Sequence, residues 1–189
     1  MNTNDYSQWF RGSTPYISAH RGKTFVVYLG GEALAHANVT NIVHDLALLH
    51  VLGVQLVLVH GGRPQLDEAL PESKIHNHRR ITEPHDMSKV TGVYGLLRSQ
   101  IEGLFSTGLP NTPLHNVDIS VVSGNFVTAK PLGVLDGIDH LLTGQLRSLD
   151  SPRIANLLSA HNLVLQSPLG FSNSGQAFNL ASEELAADI

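Results

Sequence analysis

The sequence predicts an α/β domain built on a mainly parallel sheet. Two runs, TFVVYLGG at 24–31 and VQLVLVHGG at 54–62, are unbroken apolar stretches rich in β-branched residues, each closed by paired glycines. Such a run reads as a strand covered on both faces. Between them, NIVHDLALLHVLG at 41–53 changes to helical spacing, so the first 62 residues form one strand–crossover helix–strand unit. The chain of 189 residues, 42% hydrophobic, fits one domain with a sizeable core.

Taken in order, residues 1–13 form a short N-terminal helix or arm. Tyr6, Trp9 and Phe10 fall on one side of it, and it ends near Gly12. Those aromatics suit contact with a second subunit as well as they suit packing on the chain's own domain. In the crossover helix Ile42, Leu46 and Leu49 share a face, Thr40 is the candidate N-cap and Gly53 the residue after the C-cap. Pro64 suits the first turn of a second helix carrying Leu66 and Leu70, which Pro71 stops. The stretch 72–80 is polar and reads as a loop.

From Thr82, a capping residue, to Gly108, Met87, Val90, Tyr94, Leu97, Ile101 and Leu104 recur every three or four residues and predict one long helix. Gly92 and Gly95 weaken it or admit a close neighbour. Beyond Pro113 the pattern turns to short strands at 117–133 and 144–150, read as a hairpin-rich insertion. A short helix over 151–161, a buried strand over 163–170 and the opening of a helix over 179–189 complete the chain. Leu180, Leu185 and Ile189 give that last helix an apolar face without a C-cap or a following strand, which predicts that the domain is incomplete at its C-terminus.

Composition excludes several function classes. Lys and Arg number 12 against 16 Asp and Glu, without a block of like charge, so there is no footprint for nucleic acid or an anionic membrane. No leader-like segment opens the chain, and no apolar run approaches the roughly 20 residues of a membrane span. With no cysteine, disulfides, thiolate-bound zinc and thiol nucleophiles are out, a reducing compartment is permitted, and the cytoplasm is the simplest assignment.

The two Gly-Gly turns, Gly30-Gly31 and Gly61-Gly62, carry the strongest chemical signal. Each follows a strand and precedes a helix, where parallel sheets bind ligands and backbone N–H groups can cradle an anion. Other motifs fail. Gly22-Lys23-Thr24 imitates the end of a Walker A loop, but Ile17 stands where that motif needs glycine, and a strand follows instead of a helix. No G-x-G-x-x-G follows the first strand. The 11 histidines show no metal-binding spacing: His44 and His50 face different ways on a helix, and His76 and His78 sit in a polar segment. His60, at a strand end beside Gly61, remains a site candidate. Ser123 lacks a nucleophile elbow, and turn formation accounts for Ser123-Gly124-Asn125.

On the runs RGKTFVVYLGGEAL, NIVHDLALLHVLGVQLVLVHGGRPQLDEAL, VVSGNFVTAKPLGVLDGIDHLLTGQLRSLD and FNLASEEL, the chain resembles the N-terminal, amino-acid-kinase-like domain of bacterial N-acetylglutamate synthase from about Thr14 onward. The resemblance implies a three-layer αβα sandwich of the acetylglutamate-kinase type over 14–189. It implies a parent enzyme that acetylates glutamate from acetyl-CoA at the first step of arginine biosynthesis, in which this domain senses L-arginine and assembles homo-oligomers. Acetyl transfer in that family belongs to a separate C-terminal domain. That domain, and the last part of the kinase-like domain, are expected to lie outside this chain, leaving the arginine site incomplete, no cofactor of its own and no catalytic residue.

Three departures from the kinase relatives accompany the resemblance. They carry a lysine directly before Leu-Gly-Gly, which neutralises the transferring phosphoryl group; Tyr28 stands here. Arg63 replaces the third glycine of the second turn, and Glu183, downstream of Asn179, replaces an aspartate. Loss of the charge that stabilises the transition state argues against phosphoryl transfer. The competing expectation is an active amino-acid kinase, with Gly30, Gly31 and Asn179 holding ligands.

Overall fold

The computed structural model describes residues 3–106 and 118–189. The chain runs α1 (Thr3–His20), β1 (Thr24–Leu29), α2 (Gly31–Ala35), α3 (Val39–Val51), β2 (Gln55–His60), α4 (Arg63–Ala69), then a small hairpin of β3 (Ile75–His76) and β4 (Arg79–Arg80). A 3₁₀ turn, Pro84–Asp86, leads into α5 (Met87–Ser106). There follow β5 (Val121–Ser123), β6 (Val127–Pro131), a second hairpin of β7 (Val134–Leu135) and β8 (Ile138–Asp139), β9 (Gly144–Leu149), α6 (Ser151–Ser159), β10 (Leu163–Gln166), β11 (Leu169–Phe171), β12 (Ala177–Asn179) and α7 (Ser182–Asp188).

The main sheet is parallel throughout, in the order β1-β2-β10-β5. Alternation along β2 explains the layers. Leu56 and Leu58 join Val43 and Leu46 of α3 and Ile101 and Phe105 of α5 on one face, while Val57 meets Ile154 and Leu158 of α6 on the other. Val59, on that second face, packs with Phe178, Leu180 and Leu185 around α7. Helices on both faces of a parallel sheet give the expected three-layer α/β sandwich. A smaller mixed sheet, β12-β11-β6-β9, with a bulge between Thr128 and Ala129, closes the end of the molecule where the main strands finish.

Several expectations are corrected. β1 is an edge strand, not one covered on both faces: Phe25, Val27 and Leu29 turn inward, and Val26 and Tyr28 lie on an exposed face. β5 belongs to the parallel sheet beside β10 and not to the hairpin insertion. The polar 72–80 segment holds the β3–β4 hairpin. The 163–170 strand breaks at Ser167-Pro168, where proline offers no N–H, and its two halves serve different sheets. α1 runs through Gly12 and Pro15 to His20; on so exposed a helix, water can reach the carbonyl that proline leaves unpaired. Thr82 caps no helix but is buried, and α5 starts at Met87 behind the 3₁₀ turn. The N-cap position of α3 is Asn38, not Thr40. Gly108, Pro113 and Val117 lie outside the described residues.

Candidate functional site

The two Gly-Gly turns touch. β1 and β2 pair in register to their last residues, Leu29 with His60, so both turns emerge at the same level beyond the sheet, and Gly61 N–H donates to the Leu29 carbonyl at 2.7 Å. A Cβ on Gly61 would stand 2.7 Å from the Tyr28 hydroxyl and 3.1 Å from the Gly31 nitrogen. One on Gly31 would meet Gln65 Oε1 and the Pro64 ring at 2.6 Å and the Arg63 nitrogen at 2.9 Å. These glycines are required by the approach of turn to turn and of turn to α4. Gly62 is pressed in the same way by α5, where an added Cβ would lie 2.8 Å from Leu97 and 2.9 Å from the Tyr94 ring.

Tyr28 reaches over this junction from the open face of β1. Its hydroxyl donates to Glu183 Oε1 at 3.0 Å and lies 3.3 Å from Ser182 Oγ, which donates to Glu183 Oε2 at 3.1 Å. Burial pushes the Tyr28 phenol above its ordinary value; the Ser182 bond opposes this, and the Glu183 contact adds to it. Burial alone would raise the Glu183 carboxyl. Its own backbone N–H, the hydroxyls of Tyr28 and Ser182 and the charge of Arg63 outweigh that and hold it below the usual range. A neutral phenol is therefore locked to an anionic carboxylate in the first turn of α7.

Behind this pair, Asn179 is the centre of a buried network. Its Oδ1 accepts from the Tyr94 hydroxyl at 3.1 Å and its Nδ2 donates to Thr82 Oγ1 at 3.0 Å. The Asn179 backbone N–H donates to Leu142. Thr143 Oγ1 accepts from the Thr82 N–H, donates to the Arg80 carbonyl and lies 3.1 Å from Thr82 Oγ1, whose hydrogen it can accept. Burial drives the Tyr94 phenol far above its ordinary value. The network ties α5, the segment after β4, the start of β9 and β12 together, and it occupies both polar ends of the Asn179 side chain.

Between the glycine turns, the β3–β4 hairpin and α7 lies a cleft of about 90 Å³, lined among others by Gly62, Arg63, Arg80, Tyr94, Asn179 and Glu183. Arg63 is exposed at its rim. Arg80 is ion-paired with Asp67 and donates to the Leu70 carbonyl at 3.3 Å. Arg79 is ion-paired with Glu184, and its Nη1 is buried without a hydrogen-bond partner among the described residues. His60 lies beneath the cleft, fully buried. Its Nδ1 donates to the Gly61 carbonyl at 2.9 Å, so Nε2 accepts from Ser167 Oγ at 2.8 Å. Burial pushes this imidazole below its ordinary value, against the Gly61 bond and with help from the Arg98 charge.

Of the residues singled out in the sequence, Gly30, Gly31, Gly61, Gly62, Arg63, Asn179 and Glu183 gather in one place, and His60 sits under them. Arg79, Arg80, Tyr94, Thr82, Thr143 and Ser182 were missed. The paired arginines in the polar 72–80 segment were the available signal; the threonines carried none. Trp9 and Phe10 of α1 are 66% and 61% exposed, far from this cleft in the chain and joined on the helix surface by Tyr16 at 71%; the Tyr6 side chain lies outside the described residues. Among the described residues, no group of three His, Asp or Glu could hold a metal ion, and no helix is long and apolar enough to cross a membrane.

This arrangement has counterparts. The family model of the amino acid kinase family matches residues 23–189. The chain is 50% identical over 184 residues to an amino-acid acetyltransferase of Proteus mirabilis, covering 95% of this chain and 41% of that protein. It is 51% identical over 181 residues to one of Aeromonas salmonicida, covering 94% and 41%. The chain thus spans about two fifths of the curated relatives it matches. Among solved structures, N-acetylglutamate synthase from Neisseria gonorrhoeae, complexed with coenzyme A and L-arginine, superposes with a TM-score of 0.87 at 33% identity, over 95% of this chain and 43% of that one. Carbamate kinase from Giardia lamblia, at 15% identity and a TM-score of 0.52 over 88% of this chain and 69% of that one, shares the fold alone. The layered parallel sheet with abutting glycine turns, matched from Lys23 to Ile189, places the chain in the amino acid kinase family.

Proposed function

We propose that this chain is the regulatory and assembly domain of an N-acetylglutamate synthase, the enzyme that acetylates glutamate from acetyl-CoA at the first step of arginine biosynthesis, and that it transfers no phosphoryl group. The supporting observation is the Tyr28–Glu183 pair. Phosphoryl transfer needs preorganised positive charge where the γ-phosphate loses its leaving group. The residue before Leu29-Gly30-Gly31 is instead a neutral phenol, and its partner carries a negative charge. An incoming phosphate would meet that carboxylate, and Arg80 is already bound to Asp67.

The similarity to amino-acid acetyltransferases of about 50% identity supports the parent activity, and the L-arginine complex of the Neisseria relative supports arginine as the effector of the parent. Because the chain spans about two fifths of those relatives and matches the amino acid kinase family over residues 23–189, acetyl transfer is assigned to another part of the parent, in the cytoplasm. Purified alone and supplied with acetyl-CoA and L-glutamate, the chain should release no coenzyme A above background. Acetylation by this chain would overturn the proposal.

A further inference from the structure

β1 leaves one of its two hydrogen-bonding edges unused. The Gln55 N–H donates to the Lys23 carbonyl at 2.9 Å and the Gly61 N–H to the Leu29 carbonyl at 2.7 Å, so the odd-numbered residues of the strand direct their N–H and C=O groups toward β2. Direction alternates from one residue to the next. The N–H and C=O groups of Thr24, Val26 and Tyr28 therefore point away from the sheet. β1 has no second neighbour strand, and none of these groups has a hydrogen-bond partner among the described residues.

The strand also lacks the devices that keep an edge from pairing, which are shortness, a bulge, a charge or a proline. β5, the opposite edge of the main sheet, has three residues. β9, a six-residue edge of the mixed sheet, is bulged: Thr128 pairs with Ser148 and Ala129 with Leu146, which leaves Arg147 as the extra residue. β1 also has six residues, TFVVYL, in unbroken register with β2 and without charge or proline. Its free face shows Val26 and Tyr28, each 38% exposed.

A second copy of the chain fits this edge. With two β1 strands antiparallel about a two-fold axis at Val26, Val26 faces its own counterpart and Thr24 faces Tyr28 of the second copy. These are the residues whose backbone groups point outward, so each facing couple exchanges both of its hydrogen bonds. Within the strand, no other two-fold register engages all three. Charge selects the same direction. Arg21 and Lys23 are exposed at one end of the strand, and the carboxylates of Glu32 and Glu183 stand near Tyr28 at the other. Antiparallel copies bring the basic end of each against the acidic end of the other; parallel copies would set like charges together.

We infer that β1 is a homodimerisation edge, through which two copies of this chain join antiparallel strands into one continuous sheet. The contact depends neither on the exposed aromatics of α1 nor on a ligand in the cleft.

Because the chain has no cysteine, single introduced cysteines report the register. Across a hydrogen-bonded antiparallel couple the Cα atoms are about 5.5 Å apart, within disulfide range, so Val26→Cys should cross-link to its counterpart under mild oxidation. In the same dimer Thr24 is displaced from its own counterpart by about 13 Å along the strand, so Thr24→Cys should not. Both are run with the chain concentrated, since so short a contact is weak, and Val26→Cys should give about fivefold more covalent dimer or better. Val26→Lys sets two like charges against each other across the axis at an exposed position. It should lower the mass measured by light scattering by about half while the unfolding midpoint stays near that of the wild type. Should Val26→Lys instead unfold the chain, the cysteine pair still decides. Equal cross-linking of the two cysteine variants would overturn the inference. So would a folded Val26→Lys with the mass of the wild type, the result expected if β1 waits for a different strand of the parent.

Discussion

Asn179 receives a hydrogen bond from Tyr94 and gives one to Thr82 with all three side chains buried, so its removal strands the Tyr94 hydroxyl and leaves Thr82 Oγ1 with Thr143 alone. Leaving a buried polar group unsatisfied costs about 1–3 kcal/mol. Asn179→Ala should accordingly lower stability to urea by about 1–3 kcal/mol, and Tyr94→Phe by about 1 kcal/mol. The two losses should combine less than additively, because the residues share a bond. Full additivity would detach Tyr94 from the network. His60 gives a pH dependence with a definite sign. Its folded-state value is depressed below the ordinary 6.5 by burial, so its contribution is complete above that value and is lost as pH falls through it toward the folded one. The urea midpoint of the wild type should drop on acidification below about pH 6.5 more steeply than that of His60→Gln, and the difference between the two curves isolates this residue. Parallel curves would contradict it. Tyr28, Asn179 and Glu183 were legible in the sequence because they stand at positions where the kinase relatives carry other residues or the same one. Their partners were not, since Tyr94, Thr82 and Thr143 come from segments that only tertiary packing brings together.

At the scale of elements, the glycine turns make an unequal pair of predictions. An added methyl at Gly31 would meet the Pro64 ring and the Arg63 backbone nitrogen, neither of which can swing aside, whereas one at Gly61 would first meet the far end of Tyr28. Gly31→Ala should cost about 1–3 kcal/mol, as overpacking does, and Gly61→Ala less, with loss of the Tyr28–Glu183 bond as its signature. Equal costs would mean that Tyr28 is not free to move. α1 leads to a different prediction. With Trp9, Phe10 and Tyr16 all more than 60% exposed, replacing the three by alanine should leave the unfolding midpoint nearly unchanged. If α1 joins subunits, the same variant should reduce the mass measured by light scattering; an unchanged mass would remove that role. Apolar runs and helical periods disclosed β2, α3, α5 and α6, because those elements bury whole faces. They misled at β1, where an apolar strand lies at the sheet edge, and at β5, whose three residues read like the hairpins that follow them. The β3–β4 hairpin stayed hidden because its stability comes from neighbours and from Asn77 and His78 at positive φ, not from an alternating pattern.

Across the whole molecule, the parallel sheet brings two glycine turns to one level and the mixed sheet closes over them, which is the frame of a phosphate site. The occupants of that frame are what differ: Tyr28 on the strand end, Glu183 on α7 and an arginine pair bound to carboxylates. The frame was legible from the repeated strand-Gly-Gly pattern. Its loss of phosphotransfer chemistry was legible only through the resemblance, because Tyr28 in an apolar strand looks like any other aromatic until its hydroxyl is seen against Glu183. The most direct measurement is therefore phosphoryl transfer itself: the wild-type chain incubated with ATP, Mg²⁺ and N-acetyl-L-glutamate, with any acyl phosphate trapped as its hydroxamate and an active acetylglutamate kinase run alongside. A kinase-fold domain with a neutral phenol paired to a carboxylate should form no acyl phosphate above the protein-free background; ATP-dependent turnover by the chain would contradict the proposal at its centre.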